Sequence, residues 1–169
     1  SLPSASASAS FCCASTAPTV VGSNKSTTNI GTLTVTLTAA VPLNATLFIV
    51  AGWNNTSATS FSATDNLGTH NTYTQDSHIN TTGETVSRLR SPITQALASG
   101  NTITITYPAS STVLKDATIF YVNGLITTSP LDSTAGTGTG NSATAAATTG
   151  ATGSGNILVV GGVASATPG

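Results

Sequence analysis

Ala45-Thr46-Leu47-Phe48-Ile49-Val50-Ala51-Gly52-Trp53 decides the fold class. Its run of consecutive apolar residues, Leu47 to Ala51, leaves no polar side for water. The run is too short for an ordinary globular helix and rich in β-branched and aromatic residues, so it is expected to be a strand buried on both faces. The neighbouring segments alternate, as strands with one wetted face do. In Gly31–Thr38, Leu33, Val35 and Leu37 point one way and Thr32, Thr34, Thr36 and Thr38 the other. Asn101–Tyr107 repeats the pattern, with Ile103, Ile105 and Tyr107 inward and Thr102, Thr104 and Thr106 outward.

Weaker strands complete the set. Ser57–Thr64 is expected to send Phe61 and Ala63 inward, and Thr69–Gln75 to pair back on it with Tyr73 as anchor. Asp65-Asn66-Leu67-Gly68 is a turn by residue type, as is the stretch holding Pro42 and Asn44. Glu84–Arg90 forms a strand in which Val86 alternates with polar neighbours, and Ser91–Ala98 a loop or one helical turn. Ala117–Val122 within Val113–Gly124, and Ile157–Val160 within Gly155–Ala164, are two further buried strands. Leu47, Phe48, Ile49, Val50, Ile103, Ile105, Ile119, Tyr121, Leu158 and Val160 are the expected core. Short strands, closely spaced turns and essentially no helix predict an all-β antiparallel sandwich, jelly-roll or immunoglobulin-like. The sequence does not choose between these topologies.

Composition narrows the setting. The chain of 169 residues suits one domain. Only 5% of it is charged, against roughly 25% in ordinary soluble domains. Ser and Thr make up about a third, giving a neutral, hydroxylated surface. With a net charge of −1 it has no electrostatic means of holding nucleic acid. No apolar run approaches the roughly 20 residues that span a bilayer. The absence of Met is read as loss of an N-terminal signal, hence a secreted chain, extracellular or at the cell surface.

The first 17 residues differ from the body, residues 18–169. Ser4–Ser10 alternates strictly between Ser and Ala, and Phe11-Cys12-Cys13 follows. If extended, Ala5, Ala7, Ala9, Phe11 and Cys13 share one face. Adjacent Cα atoms lie about 3.8 Å apart, below the usual disulfide span, so Cys12 and Cys13 suit intermolecular disulfides to two neighbours better than a mutual bridge. Residues 132–155 are Gly, Thr, Ala and Ser of low complexity, an extended arm or a mobile excursion.

Thr64–Thr69 with Tyr73, Gly100–Tyr107, Ile119–Leu125 and the Thr/Gly/Ala run before Ile157 resemble β-sandwich domains of secreted bacterial and phage surface proteins. That resemblance spans roughly 31–162 and implies a fold and an extracellular setting, with no catalytic residue. The tail is similar in style to extracellular filament subunits with cysteine-bearing N-terminal connectors (spore appendages) or donor strands (archaeal and bacterial fibres). It departs from the spore-appendage pattern because the body holds no cysteine, so a covalent link would run tail to tail.

No residue set assembles into catalysis on paper. Asp76-Ser77-His78 are neighbours, whereas a hydrolase triad converges from separate elements; the three are expected in a loop, where alanine at Asp76 or His78 would change stability little. His70 and His78 with Asp65 or Asp76 carry no metal-site spacing, and Asp65-Asn66 is a plain turn before it is a calcium ligand. Trp53 beside Asn54 and Asn55 is a core or strand-end residue before it is a sugar platform. Arg88 and Arg90 share one strand face, on a solvated edge or at an interface. Glycosylation sequons stand at Asn24, Asn44, Asn54, Asn55 and Asn80, which makes attached glycan a partner in a secretory setting. The expectation is thus a non-catalytic, cofactor-free and metal-free structural subunit that self-assembles with copies of itself, its tail (Ala5, Ala7, Ala9, Phe11) added as a strand to the next subunit. The alternatives are an adhesin or carbohydrate-binding module of a larger secreted protein, and a phage decoration domain.

Overall fold

The computed structural model describes residues 17–54, 60–80, 84–111 and 114–125. These hold eight strands and no helix: β1 (Thr19–Ser26), β2 (Ile30–Thr36), β3 (Thr46–Trp53), β4 (Ser62–Asp65), β5 (Thr74–Asn80), β6 (Thr85–Pro92), β7 (Thr102–Ser111) and β8 (Lys115–Val122). They form two antiparallel sheets, one of five strands in the order β1-β8-β3-β6-β5 and one of three in the order β2-β7-β4. The all-β antiparallel sandwich expected from the sequence is the architecture observed.

Among the described strands the pairing runs largely in jelly-roll order. β1 pairs with β8, β2 with β7 and β3 with β6, each antiparallel. First with last, second with next-to-last and so inward is the jelly-roll wrap, in which a folded-over ribbon of strand pairs closes into two sheets. Its innermost pair departs from the pattern: β5 joins β6 in the five-stranded sheet, while β4 lies on β7 in the other.

The double-sided burial of the opening stretch follows from β3 being the middle strand of five. Its odd residues Leu47, Ile49, Ala51 and Trp53 enter the core with Ile119, Leu89 and, from the facing sheet, Leu33, Val35, Ile103 and Ile105. Phe48, on the opposite face, is also buried, while Val50 and Tyr121 are half-buried. Leu158 and Val160 lie outside the described residues, as does the strand expected around them. Trp53, Phe61 and Tyr107 pack edge-on at one end, with ring centroids 5.2–6.5 Å apart. Ile105 is wholly buried on the central strand of the small sheet. Ile105→Ala should therefore lose about 2–5 kcal/mol, seen as a lower urea midpoint with an unchanged slope.

Three sequence expectations need correction. β1 was not anticipated: Val21 is its one apolar residue turned inward, and its phase is broken by a bulge between Val20 and Gly22. Gly22 is needed there, since a Cβ would lie 2.9 Å from Val35 Cγ1 where β1 crosses β2. Second, Thr69–Tyr73 is not a strand; β5 starts at Thr74 and pairs with β6 instead of returning on β4. Asp76, Ser77 and His78 are accordingly strand residues and not a loop. Third, Asp65, expected as the first residue of a turn, is the last residue of β4.

Candidate functional site

The cysteines and the tail residues Ala5, Ala7, Ala9 and Phe11 lie outside the described residues, as does Asn55. Of the other sequon asparagines, all four side chains are exposed. Asn44 and Asn54 sit in connections at strand ends, whereas Asn24 and Asn80 have structural duties. Asn24 Nδ2 donates to Thr34 O at 2.7 Å, tying β1 to β2, and Asn80 Oδ1 accepts from Thr85 Oγ1 at 2.7 Å.

Asp65, at the end of β4, organises the loop that follows. Its buried carboxylate accepts from Leu67 N (3.2 Å), Asn71 N (3.0 Å), Asn71 Nδ2 (2.9 Å) and Tyr73 OH (3.1 Å), and His70 Nδ1 lies 3.2 Å from Oδ1. Burial pushes this carboxyl up, but the donors outweigh it and hold it below the ordinary range. Tyr73 moves the opposite way: burial and the Asp65 charge both raise its phenol, so it stays a donor. Asn71 passes the constraint on, its Oδ1 accepting from Thr94 N and Gln95 N at 2.9 Å each. Asp65, with His70 beside it, thus belongs to a hydrogen-bonded clamp between two loops. His78 stands apart on β5, and no group of three or more His, Cys, Asp and Glu forms among the described residues.

A second constellation occupies the outer face of the five-stranded sheet. A bulge between Gln75 and Ser77 turns Asp76 toward β6. There Arg90 grips its carboxylate, Nε at 3.1 and 3.3 Å and a terminal nitrogen at 3.2 Å, and Arg88 lies 3.7 Å away. The two arginines do share a face, as expected, but β6 is an internal strand and not an edge. In the same cross-strand row, Phe48 stacks on Phe120 at 5.3 Å, and Val20 completes the row at the rim.

At the other end of the sandwich lies a lysine that sequence reasoning passed over. Lys115 pairs in register with Trp53 on the core side of β8 and is 0% exposed. Burial lowers its ammonium pKa, and Nζ donates to Thr28 O at 3.1 Å. On the opposite face Asp116 leans across Gly52, where a Cβ would strike its carboxylate. Burial first, then the charge of Asp116, raises the carboxyl of Glu84. Trp53 itself is 2% exposed, hence a core residue and no open stacking platform.

The two seams of the sandwich differ. Between β1 and β2 the backbone closes directly, Thr38 N on Val21 O at 2.7 Å, reinforced by Asn24. Between β4 and β5 the described residues meet through a side chain, Gln75 Oε1 accepting from Phe61 N at 3.0 Å. β4 covers only four residues of the ten-residue β7, so beyond Thr106 that edge of β7 has no strand partner among the described residues. No protein-family model, curated protein or solved structure matches the chain.

Proposed function

We propose that the chain is a non-catalytic structural subunit of an extracellular filament or surface appendage, joined by adding its N-terminal segment as a strand to the next subunit. The observation that carries this reading is the β4 seam, where among the described residues three strands lie over five and the Gln75 side chain bridges to Phe61 N. A sheet edge that ends early offers backbone donors and acceptors to an extended peptide, the basis of strand addition. The Ser4–Ser10 alternation supplies such a peptide, with alanine methyls small enough for a narrow seam and Phe11 as anchor. Ordering a dozen residues costs on the order of 1–2 kcal/mol each in backbone entropy, so main-chain pairing must supply most of the gain. The contact is head to tail, and its repetition gives an open filament unless a ring closes. A neutral, hydroxyl-rich exterior with few charges suits a surface largely shared with neighbours. No helix of the described residues is long and apolar enough to cross a membrane.

Deleting Ser1–Ala14 should leave a folded but monomeric domain by light scattering, with no fibres in electron micrographs. Cys12→Ser together with Cys13→Ser should still assemble, yet dissociate in detergent that the parent fibre survives. Polymerisation by the deletion variant would refute the reading and favour an adhesin or decoration module.

A further inference from the structure

The outer face of the three-stranded sheet carries a single kind of side chain. β2 and β7 pair without a shift from Thr32 to Thr36, setting Thr32 opposite Thr106, Thr34 opposite Thr104 and Thr36 opposite Thr102. β4 extends two of these rows, with Ser62 beside Thr106 and Thr64 beside Thr104. The residues between them, Leu33, Val35, Ile103 and Ile105, are buried in the core, so the hydroxyl-bearing set points to solvent. Thr32, Thr102 and Thr104 are half-buried, and the rest of the set is exposed.

Neighbouring strands lie about 4.7–4.9 Å apart, and same-face residues along a strand about 6.8 Å, so the rows form a small two-dimensional lattice of hydroxyls and methyls. The lattice is stiff. Threonine is restricted at χ1, and at its centre Thr34 Oγ1 and Thr104 Oγ1 share a hydrogen bond of 3.1 Å. It is also nearly flat: over three rows, a twist of about 20–25° between strands lifts an end residue by only about 2–3 Å.

We propose that this face binds ice. The two repeats of the lattice are near those of the oxygen sites on a prism face of ice, and each threonine presents a hydroxyl and a methyl to such a surface. Other partners need chemistry that the set lacks. Protein interfaces draw their energy from aromatic, Met and Arg anchors, nucleic acid from Lys and Arg, and sugar rings from aromatic platforms. Eight short hydroxylated side chains offer none of these. With no anchor, each contact is worth little, so only a partner with the same repeat engages the rows together. Ice has that repeat and is already rigid, which removes the cost of ordering a partner. The proposal uses the face of the sheet, whereas strand addition uses its edge, and it does not rest on that reading.

The test uses the full chain and ice itself. The parent protein should enter a slowly growing ice hemisphere, shape seed crystals into facets and slow recrystallisation of fine-grained ice. Thr34→Lys with Thr104→Lys, which breaks the central row, should need at least several-fold more protein for the same slowing. Thr118→Lys, on the exposed outer side of β8, should match the parent, with an unchanged urea midpoint. Exclusion of the parent from ice would overturn the proposal whatever the variants do. Equal activity in the double variant would overturn it, as would equal losses in the double variant and Thr118→Lys, since added charge and not the lattice would then be the cause. Thr34→Ser with Thr104→Ser keeps the fold without added charge and should weaken the slowing by loss of the two methyls; full activity there would also count against the lattice.

Discussion

Asp65→Ala is expected to destabilise the domain by about 3–5 kcal/mol, among the largest effects of any single substitution here. Hydrogen bonds to a charged acceptor each contribute roughly 1.5–3 kcal/mol, and buried donors left without an acceptor cost about 1–3 kcal/mol each. Asn71 is buried and loses two such bonds, and Tyr73 loses the partner of its phenol. The total stays below the sum because the loop relaxes and water reaches part of it. Urea unfolding should show the loss, and Asp65→Asn should recover a fraction by keeping an acceptor. The acid limb supplies a second signature. Asp65 has a folded-state pKa below its unfolded value, so its stabilisation is complete above the unfolded value, about 3.9, and is lost as pH falls through the folded value. The steep acid decline of the parent should flatten in Asp65→Asn. Glu84 and Asp116 act in the opposite sense. Their folded carboxyls are raised, so they favour the folded state while protonated and cost stability as pH rises past their unfolded values. An Asp65→Asn protein whose acid limb matched the parent's would exclude the clamp as the source of acid lability.

Asp76→Ala should cost a comparable 3–5 kcal/mol, the usual penalty for removing one partner of a buried ion pair. Arg90 would keep its charge, its side chain 13% exposed, with three hydrogen bonds gone. The value of the pair itself is smaller, since desolvation of both ions offsets much of their attraction. A double variant, Asp76→Ala with Arg90→Leu, should therefore be more stable than Asp76→Ala alone. His78→Ala, by contrast, should change the urea midpoint little, because His78 is exposed on the same strand. Equal, small effects at Asp76 and His78 would return both to the status of surface residues.

Asp76 also shows where reading the chain stops. Nothing local marks it as buried: it stands between Gln75 and Ser77 in a polar stretch. The bulge in β5 and the pairing of that strand with β6 bring it to Arg90, fourteen residues on. Val86 and Leu89 make the same point in phase. Val86, which alternates with polar neighbours in the sequence, faces outward and Leu89 enters the core, with Ser87 and Ser91 on Leu89's side. A one-residue shift in phase exchanges the faces of a strand, and with serines on one side and arginines on the other the pattern is too weak to choose. Lys115 belongs here as well, because its burial depends on the register that sets it beside Trp53.

What the amino-acid sequence determined by itself is what periodicity carries. Period-two alternation in β2 and β7 and unbroken apolarity in β3 specify strands, the inward rows and an all-β sandwich, because solvent exclusion acts on each strand before any partner is chosen. Turn residues mark the strand ends for the same local reason. Tertiary structure alone decided the pairing of β1 with β8, the place of β5 beside β6, the Asp65 clamp and the buried Asp76–Arg90 pair. Each joins residues through register between strands, and register is a property of two segments at once, written in neither.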